Sequence, residues 1–227
     1  MRYLYLLSII VCLPANAQNQ PVALPSRKLG IQPLQLLLRE AVLSYEWPVG
    51  KRMGLQVAVG YRYRNPRASP EMALGTGATV SYESSYMLNP HHQAIKLAAG
   101  PVIYLNDKRS MYLQAEYFFR HWWLDNTRIV VNSDRVAYSF DAYRTERINV
   151  YGAKVLLGVL GVFGRSVGTR PATYSPYLGV GFRVKTYWYE SRQGVVGGKP
   201  VDYQLEQGAI ALPTLHAGVL VTLGFRK

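Results

Sequence analysis

Cysteine is the first thing this sequence lacks. Cys12 is the only one in 227 residues, so no internal disulfide can staple the fold, and no thiol chemistry is available downstream of it. Long apolar runs are missing too: no internal window offers the roughly 18 consecutive apolar side chains of a membrane-spanning helix. Acidic residues are scarce, 13 Asp and Glu against 26 Lys and Arg, which leaves a formal charge of +13. Such an excess invites a nucleic-acid reading. The cations stand singly along alternating stretches, however, with no Lys/Arg run and no recognisable binding module, which argues against it. Histidines number four. His91-His92 follows Asn89-Pro90 without further ligands and reads as a solvated pair, so neither a metal nor a cofactor is expected.

What is present begins with a targeting signal. Met1-Arg2 is a short basic start, Leu4 to Leu13 an apolar run, and Ala15-Asn16-Ala17 a small-residue cleavage pattern. The reading is Sec export with cleavage near Ala17-Gln18, residues 1–17 being a signal peptide. A lipoprotein cut at Cys12 would want a small residue where Val11 stands. Residues 18–26 form a polar lead-in, and 27–227 one β-domain.

That domain is written in a two-residue period. In Gly54 to Arg64, GLQVAVGYRYR, the apolar or aromatic Leu55, Val57, Val59, Tyr61 and Tyr63 alternate with Gln56, Ala58, Gly60, Arg62 and Arg64. Such alternation is that of a strand with two unlike faces. It recurs at 39–47, 94–105, 111–123, 149–159, 177–188 and 214–225, a meander of long amphipathic strands. The connections at 48–52 and 106–110 are tight, whereas 65–92, 124–146 and 190–212 read as long polar loops; 163–175 is intermediate. Short turns on one side and long loops on the other suit an outer-membrane barrel, whose strand number is even. Parity therefore calls for an eighth strand before Arg39, and Arg27 to Leu37 is the candidate, with Pro33 as its weak point.

The question is what the apolar face touches. Strands of 10 to 13 residues exceed the soluble norm and match a tilted membrane crossing. Aromatics gather at strand ends, with Tyr61, Tyr63, Phe119, Trp123 and Trp188 towards the long loops and Trp47 and Phe225 towards the short turns, as in interfacial girdles. Strand glycines such as Gly54, Gly60, Gly152 and Gly181 fall on the polar face, where a narrow interior needs room. The fold expected is an all-β, closed, antiparallel, up-and-down transmembrane barrel of about eight strands. A soluble secreted ligand-binding barrel would place the same apolar face inward and leave a glycine-rich surface outside.

With the signal peptide, LSYEW and its basic turn, GLQVAVGYRYR, and YLGVGFRVKTYWYE, the chain resembles the small outer-membrane β-barrel proteins of Bacteroidota, related in architecture to OmpX and the OmpA barrel. The resemblance covers most of the mature chain as a pattern of strands, not as a catalytic signature. It implies insertion by the barrel-assembly machinery, which reads a terminal aromatic residue; here Arg226 and Lys227 follow Phe225. It implies a structural or surface-interaction role among outer-membrane lipids and lipopolysaccharide, as a monomer, and no peptidoglycan-binding domain follows Phe225.

Two readings of the inward charges stay open. In one, Glu46, Glu116 and Lys154 belong to a salt-bridged plug, Glu116 pairing with Arg120 or Lys154 and Glu46 with a basic neighbour. In the other, Arg62, Arg64, Lys96, Arg120, Arg183 and Lys185 line a basic extracellular vestibule that holds an anionic group such as a lipid A phosphate. His121 falls in the aromatic girdle and His216 faces the lumen. No outward Ser/His/acid set stands out, so an enzyme is not expected; an outer-membrane acyl hydrolase or acyltransferase is the alternative.

Overall fold

The computed structural model describes residues 27–63, 92–107, 109–132, 139–162, 172–196 and 199–225. They form a nine-stranded antiparallel sheet. Its members are β1 (Arg27–Ile31), β2 (Glu40–Pro48), β3 (Met53–Arg62), β4 (Gln93–Tyr104), β5 (Met111–Asn132), β6 (Ser139–Val159), β7 (Gly161–Val162), β8 (Ala172–Val196) and β9 (Lys199–Phe225). One short helix, α1 (Pro33–Leu37), joins β1 to β2.

From β1 to β6 neighbours in sequence are neighbours in the sheet, β6 pairs with β8 and β8 with β9, and β9 returns to β1, Arg27 facing Phe225 and Ile31 facing Val221. The sheet is therefore a ring. Its stagger can be read from the register. Leu29 leads through Tyr45, Val57, Ala99, Tyr117, Ala153 and Phe182 to Pro213, yet Leu29 itself pairs with Leu223. One circuit thus climbs ten residues along β9. With about 3.3 Å per residue and about 4.8 Å between strands, that offset over eight staves tilts the strands by about 40°.

The alternation seen in the sequence sets the two faces. Along β4, Ala94, Lys96, Ala98, Gly100, Val102 and Tyr104 are buried, while Ile95, Leu97, Ala99 and Ile103 are exposed. The same holds around the ring: Leu43, Val57, Val59, Leu113, Val155, Leu157, Leu178, Val180, Phe182 and Leu223 point outward and are exposed, whereas Lys28, Gln56, Arg62, Gln114, Glu116, Lys154, Lys185 and Thr222 are buried. The apolar face is outside. Burial here is inverted relative to a soluble β-domain.

Three expectations change. The first strand stops at Ile31 instead of Leu37, because Pro33 takes the first position of α1, where its missing N–H costs nothing. Arg39, at φ 60°, then turns the chain into β2. Second, 124–146 and 190–212 are not long loops: β5, β6, β8 and β9 run on as strands of 22, 21, 25 and 27 residues. Half the ring wall is therefore much taller than β1 to β4. A bulge in β5 between Leu124 and Thr127, with Asn126 at φ 33°, begins the β5–β6 extension. Third, a ninth strand is added to the eight: only Leu160 separates β7 from β6, and the Leu160 N–H donates to the Ser110 carbonyl at 2.7 Å. β7 pairs with β8 alone.

Close packing between staves makes one glycine indispensable. A Cβ on Gly100 would stand 1.8 Å from the Ala115 carbonyl oxygen, so the backbone itself would have to shift. A Cβ on Gly50, in the β2–β3 turn, would meet nothing closer than Met53 Cβ at 4.0 Å. Gly100→Ala is expected to lower stability by about 1–3 kcal/mol, and Gly50→Ala to change it by less than about 0.5 kcal/mol. Thermal unfolding followed by circular dichroism checks both.

Candidate functional site

The interior divides by depth. Near the short turns it is filled. Lys28 Nζ lies 3.3 Å from Glu46 Oε2, and the Tyr104 hydroxyl bonds to both residues. Gln114 Nε2 donates to Gln56 Oε1 at 2.5 Å, and Ser175 Oγ donates to the Tyr112 hydroxyl at 2.9 Å. The space left among these groups is about 10 Å³, room for one water at most. This end of the ring is a polar plug whose members satisfy one another across the lumen.

Above the plug the ring opens into a cavity of about 260 Å³. Arg62, Lys96, Arg120, Arg183 and Lys185 all line it. Five of the six residues proposed for a basic vestibule thus face one space; the sixth, Arg64, lies outside the described residues. Lys154 joins them, so the lining carries six cations against a single carboxylate, Glu40, among the described residues. Arg120 bonds to both Glu40 oxygens, at 2.7 and 2.9 Å, and Lys154 Nζ lies 2.9 Å from Glu116 Oε1 at the cavity floor. Of the partners open to Glu116, the structure selects Lys154; Arg120 instead reaches Glu40 across the ring.

Why these side chains meet follows from the ladder. Lys96, Arg120, Val150 and Lys185 occupy one register line across β4, β5, β6 and β8. One line on, Trp122 stands between Ala94 and Ile148. Its ring carries two guanidiniums, Arg62 at 4.9 Å and Arg120 at 5.2 Å. In a desolvated setting such contacts stabilise by up to about 2 kcal/mol each, which explains how Arg62 is held at 1 % exposure. The sequence reading passed over Trp122 in favour of Trp123. Parity could have found it, since Trp122 shares a face with Glu116 and Arg120.

His216 lines the cavity beside Thr214, whose Oγ1 is 2.8 Å from His216 Nε2. His92 is a correction. Its side chain is not solvated but fully buried at 0 % exposure, because the tall β5–β6 wall overhangs the start of β4. There His92 Nε2–H donates to Glu146 Oε2 at 2.7 Å, and Arg144 closes on the other carboxylate oxygen. His91 lies outside the described residues. Among the girdle candidates, Tyr61 and Tyr63 are half exposed, while Trp47, Phe119, Trp123, Trp188 and Phe225 are partly buried on the outward face. His121 stacks on Trp123 at 5.6 Å and shares a hydrogen bond with Asn149. Tyr117, at 71 % exposure, lies mid-wall and not at a strand end.

No protein-family model, curated protein or solved structure matches this chain.

Glu146 lies one register step beyond Trp123, Arg147 and Trp188, beside the outward Arg147–Asp125 pair. Burial disfavours its carboxylate, but the His92 hydrogen bond and the Arg144 guanidinium outweigh it and hold its pKa below the usual 4.5. A depressed carboxylate contributes stability above the unfolded pKa and loses it as pH falls through the folded one. Thermal stability is therefore expected to hold from pH 7 to about 4.5 and to fall below. Glu146→Gln should cost about 3–5 kcal/mol at pH 7 by removing the buried carboxylate that His92 and Arg144 share, and should flatten the acid limb. A melting series from pH 7 to pH 3 checks both.

Proposed function

We propose that this chain is an outer-membrane β-barrel protein, exported with cleavage near Ala17 and inserted as a monomer, whose basic cavity binds an anionic group. One observation carries the membrane reading: among the described residues most large outward side chains of the ring are apolar and many are exposed, from Leu43, Val57 and Leu97 to Val155, Leu178 and Leu223, while Lys28, Arg62, Lys96, Glu116 and Lys154 are buried inside. In water a belt of that extent would far exceed the few hundred Å² of contiguous apolar surface that soluble monomers tolerate. In a bilayer it is the expected surface. The dimensions agree, since ten residues of strand tilted by about 40° rise about 25 Å, the height of an outer-membrane apolar band. Where β1 closes the ring, few backbone groups are left exposed to hydrocarbon.

The cavity supplies the activity we assign, which is binding and not catalysis. Six cations facing one space of about 260 Å³ favour an anion, and their guanidiniums can grip phosphate oxygens in pairs. The ligand class that fits the location is a phosphorylated or acidic glycolipid of the lipopolysaccharide kind. The plug beneath leaves no continuous pore in this reading, so permeation is not the role. Replacing Arg62, Arg183 and Lys185 together by Gln should weaken binding of a lipid A-type anionic glycolipid in detergent micelles by at least tenfold. Unchanged affinity in a folded triple variant would reject the cavity as the binding site.

A further inference from the structure

The wall of the ring has a gap, and the cavity reaches it. On its β1 side, β9 has a strand partner only from Val221 to Phe225, among the described residues. β1 ends at Ile31, whereas β2 continues to Glu40. Among the described residues, only α1 and its flanking residues stand between β2 and β9 above Ile31, and α1 touches both. The residues around the cavity point the same way. Alongside the inward His216 they include its two neighbours Leu215 and Ala217, which belong to the outer face of β9. Across the gap the same cavity is lined by Gln32, Gln35 and Leu38.

The chemistry changes sharply across this slot. Inside are Lys96, Arg183 and Lys185. Outside is Leu215, at 87 % exposure the most exposed large apolar side chain of the described residues, with Val180 beside it on β8 and Leu36 and Leu37 exposed on α1. In a bilayer, the open edge of β9 would also leave ladder groups without partners, at a cost of several kcal/mol each unless something polar covers them.

We propose that the slot between α1 and β9 seats an anionic amphiphile, its phosphate among the cavity cations and its hydrocarbon chain passing outward over Leu215. This rests on the reading above that the ring lies in a membrane and its cavity binds an anion, and it adds the route and the ligand class. The volume supports a divided ligand. A cavity of about 260 Å³ lies below the roughly 300–1,000 Å³ of pockets that enclose a whole small molecule, so it has room for a headgroup and not for acyl chains as well. The polar amides of Gln32 and Gln35 sit where headgroup and chain would meet.

The test separates route from site. The probes are oleoyl lysophosphatidate and inorganic phosphate, titrated against the full-length protein in neutral detergent. Leu215→Trp with Ala217→Trp fills the slot from outside without touching a cation. We expect this variant to bind lysophosphatidate at least tenfold more weakly while its affinity for phosphate stays within twofold. The Arg62, Arg183 and Lys185 triple Gln variant should lose both. Full lysophosphatidate affinity in the slot variant overturns the lateral route and leaves the binding site standing; unchanged affinities in the triple variant overturn the site itself. Because bulky substitutions can perturb the wall, a photoreactive benzoylphenylalanine at 215 gives a second reading. It should cross-link to lysophosphatidate, and the triple substitution should abolish the product, whereas no product in the wild-type background contradicts the seat. Cross-linking of 215 to a second copy of the chain instead would assign the slot to self-association and reject the amphiphile.

Discussion

Closure of the sheet through β1 is the constraint on which the rest depends. Five residues, Arg27 to Ile31, join β2 on one side and β9 on the other, and by doing so they turn an open meander into a ring. With eight staves and a ten-residue stagger the inside is narrow, so each inward side chain must be small or find a partner on another strand. The interior obeys. Lys28 meets Glu46, Arg120 meets Glu40 and Lys154 meets Glu116, each pair drawn from different strands. Most of the large apolar side chains are left to the outside because the narrow interior has room for only small apolar clusters.

The same constraint explains the division of the interior. Where β1 is present the ring is complete and its contents form a plug. Where β1 has ended, α1 takes its place between β2 and β9, and the contents loosen into the cationic cavity. Trp122 marks the transition. Its ring holds Arg62 and Arg120 against a small apolar cluster with Ala94, Ile148 and Val150. That arrangement keeps two guanidiniums in place before any ligand arrives, which lowers the ordering cost of binding an anion.

Much of this was legible in the sequence, for a definite reason. Side-chain parity along a strand is local information, so the inward placement of Arg62, Lys96, Glu116, Arg120, Arg183 and Lys185 could be read residue by residue. Partnership across the ring could not. Arg120 and Glu40 are 80 residues apart, and they meet only because the stagger brings those positions of β2 and β5 to one depth. The end of β1 was misread because parity demanded a full strand before Arg39, while Pro33 favours a helical turn. His92 was misread as solvated because its burial comes from strands that the sequence presents as polar loops. Tyr143 and Arg144 look like loop composition until the β6–β8 ladder places them in a wall.

The central claim is that the outward apolar face meets lipid. The only cysteine being Cys12, a Cys12→Ser background lets single nitroxide labels be placed at will. Labels stepped along β4 from Ile95 to Ile103 in reconstituted vesicles should show oxygen accessibility that alternates with a period of two. Positions 95, 97, 99 and 103 should be high in oxygen and low in water-soluble nickel chelate; 96, 98 and 102 should be low in oxygen. High nickel-chelate accessibility at 95, 97 and 103 would place that face in water and contradict the account.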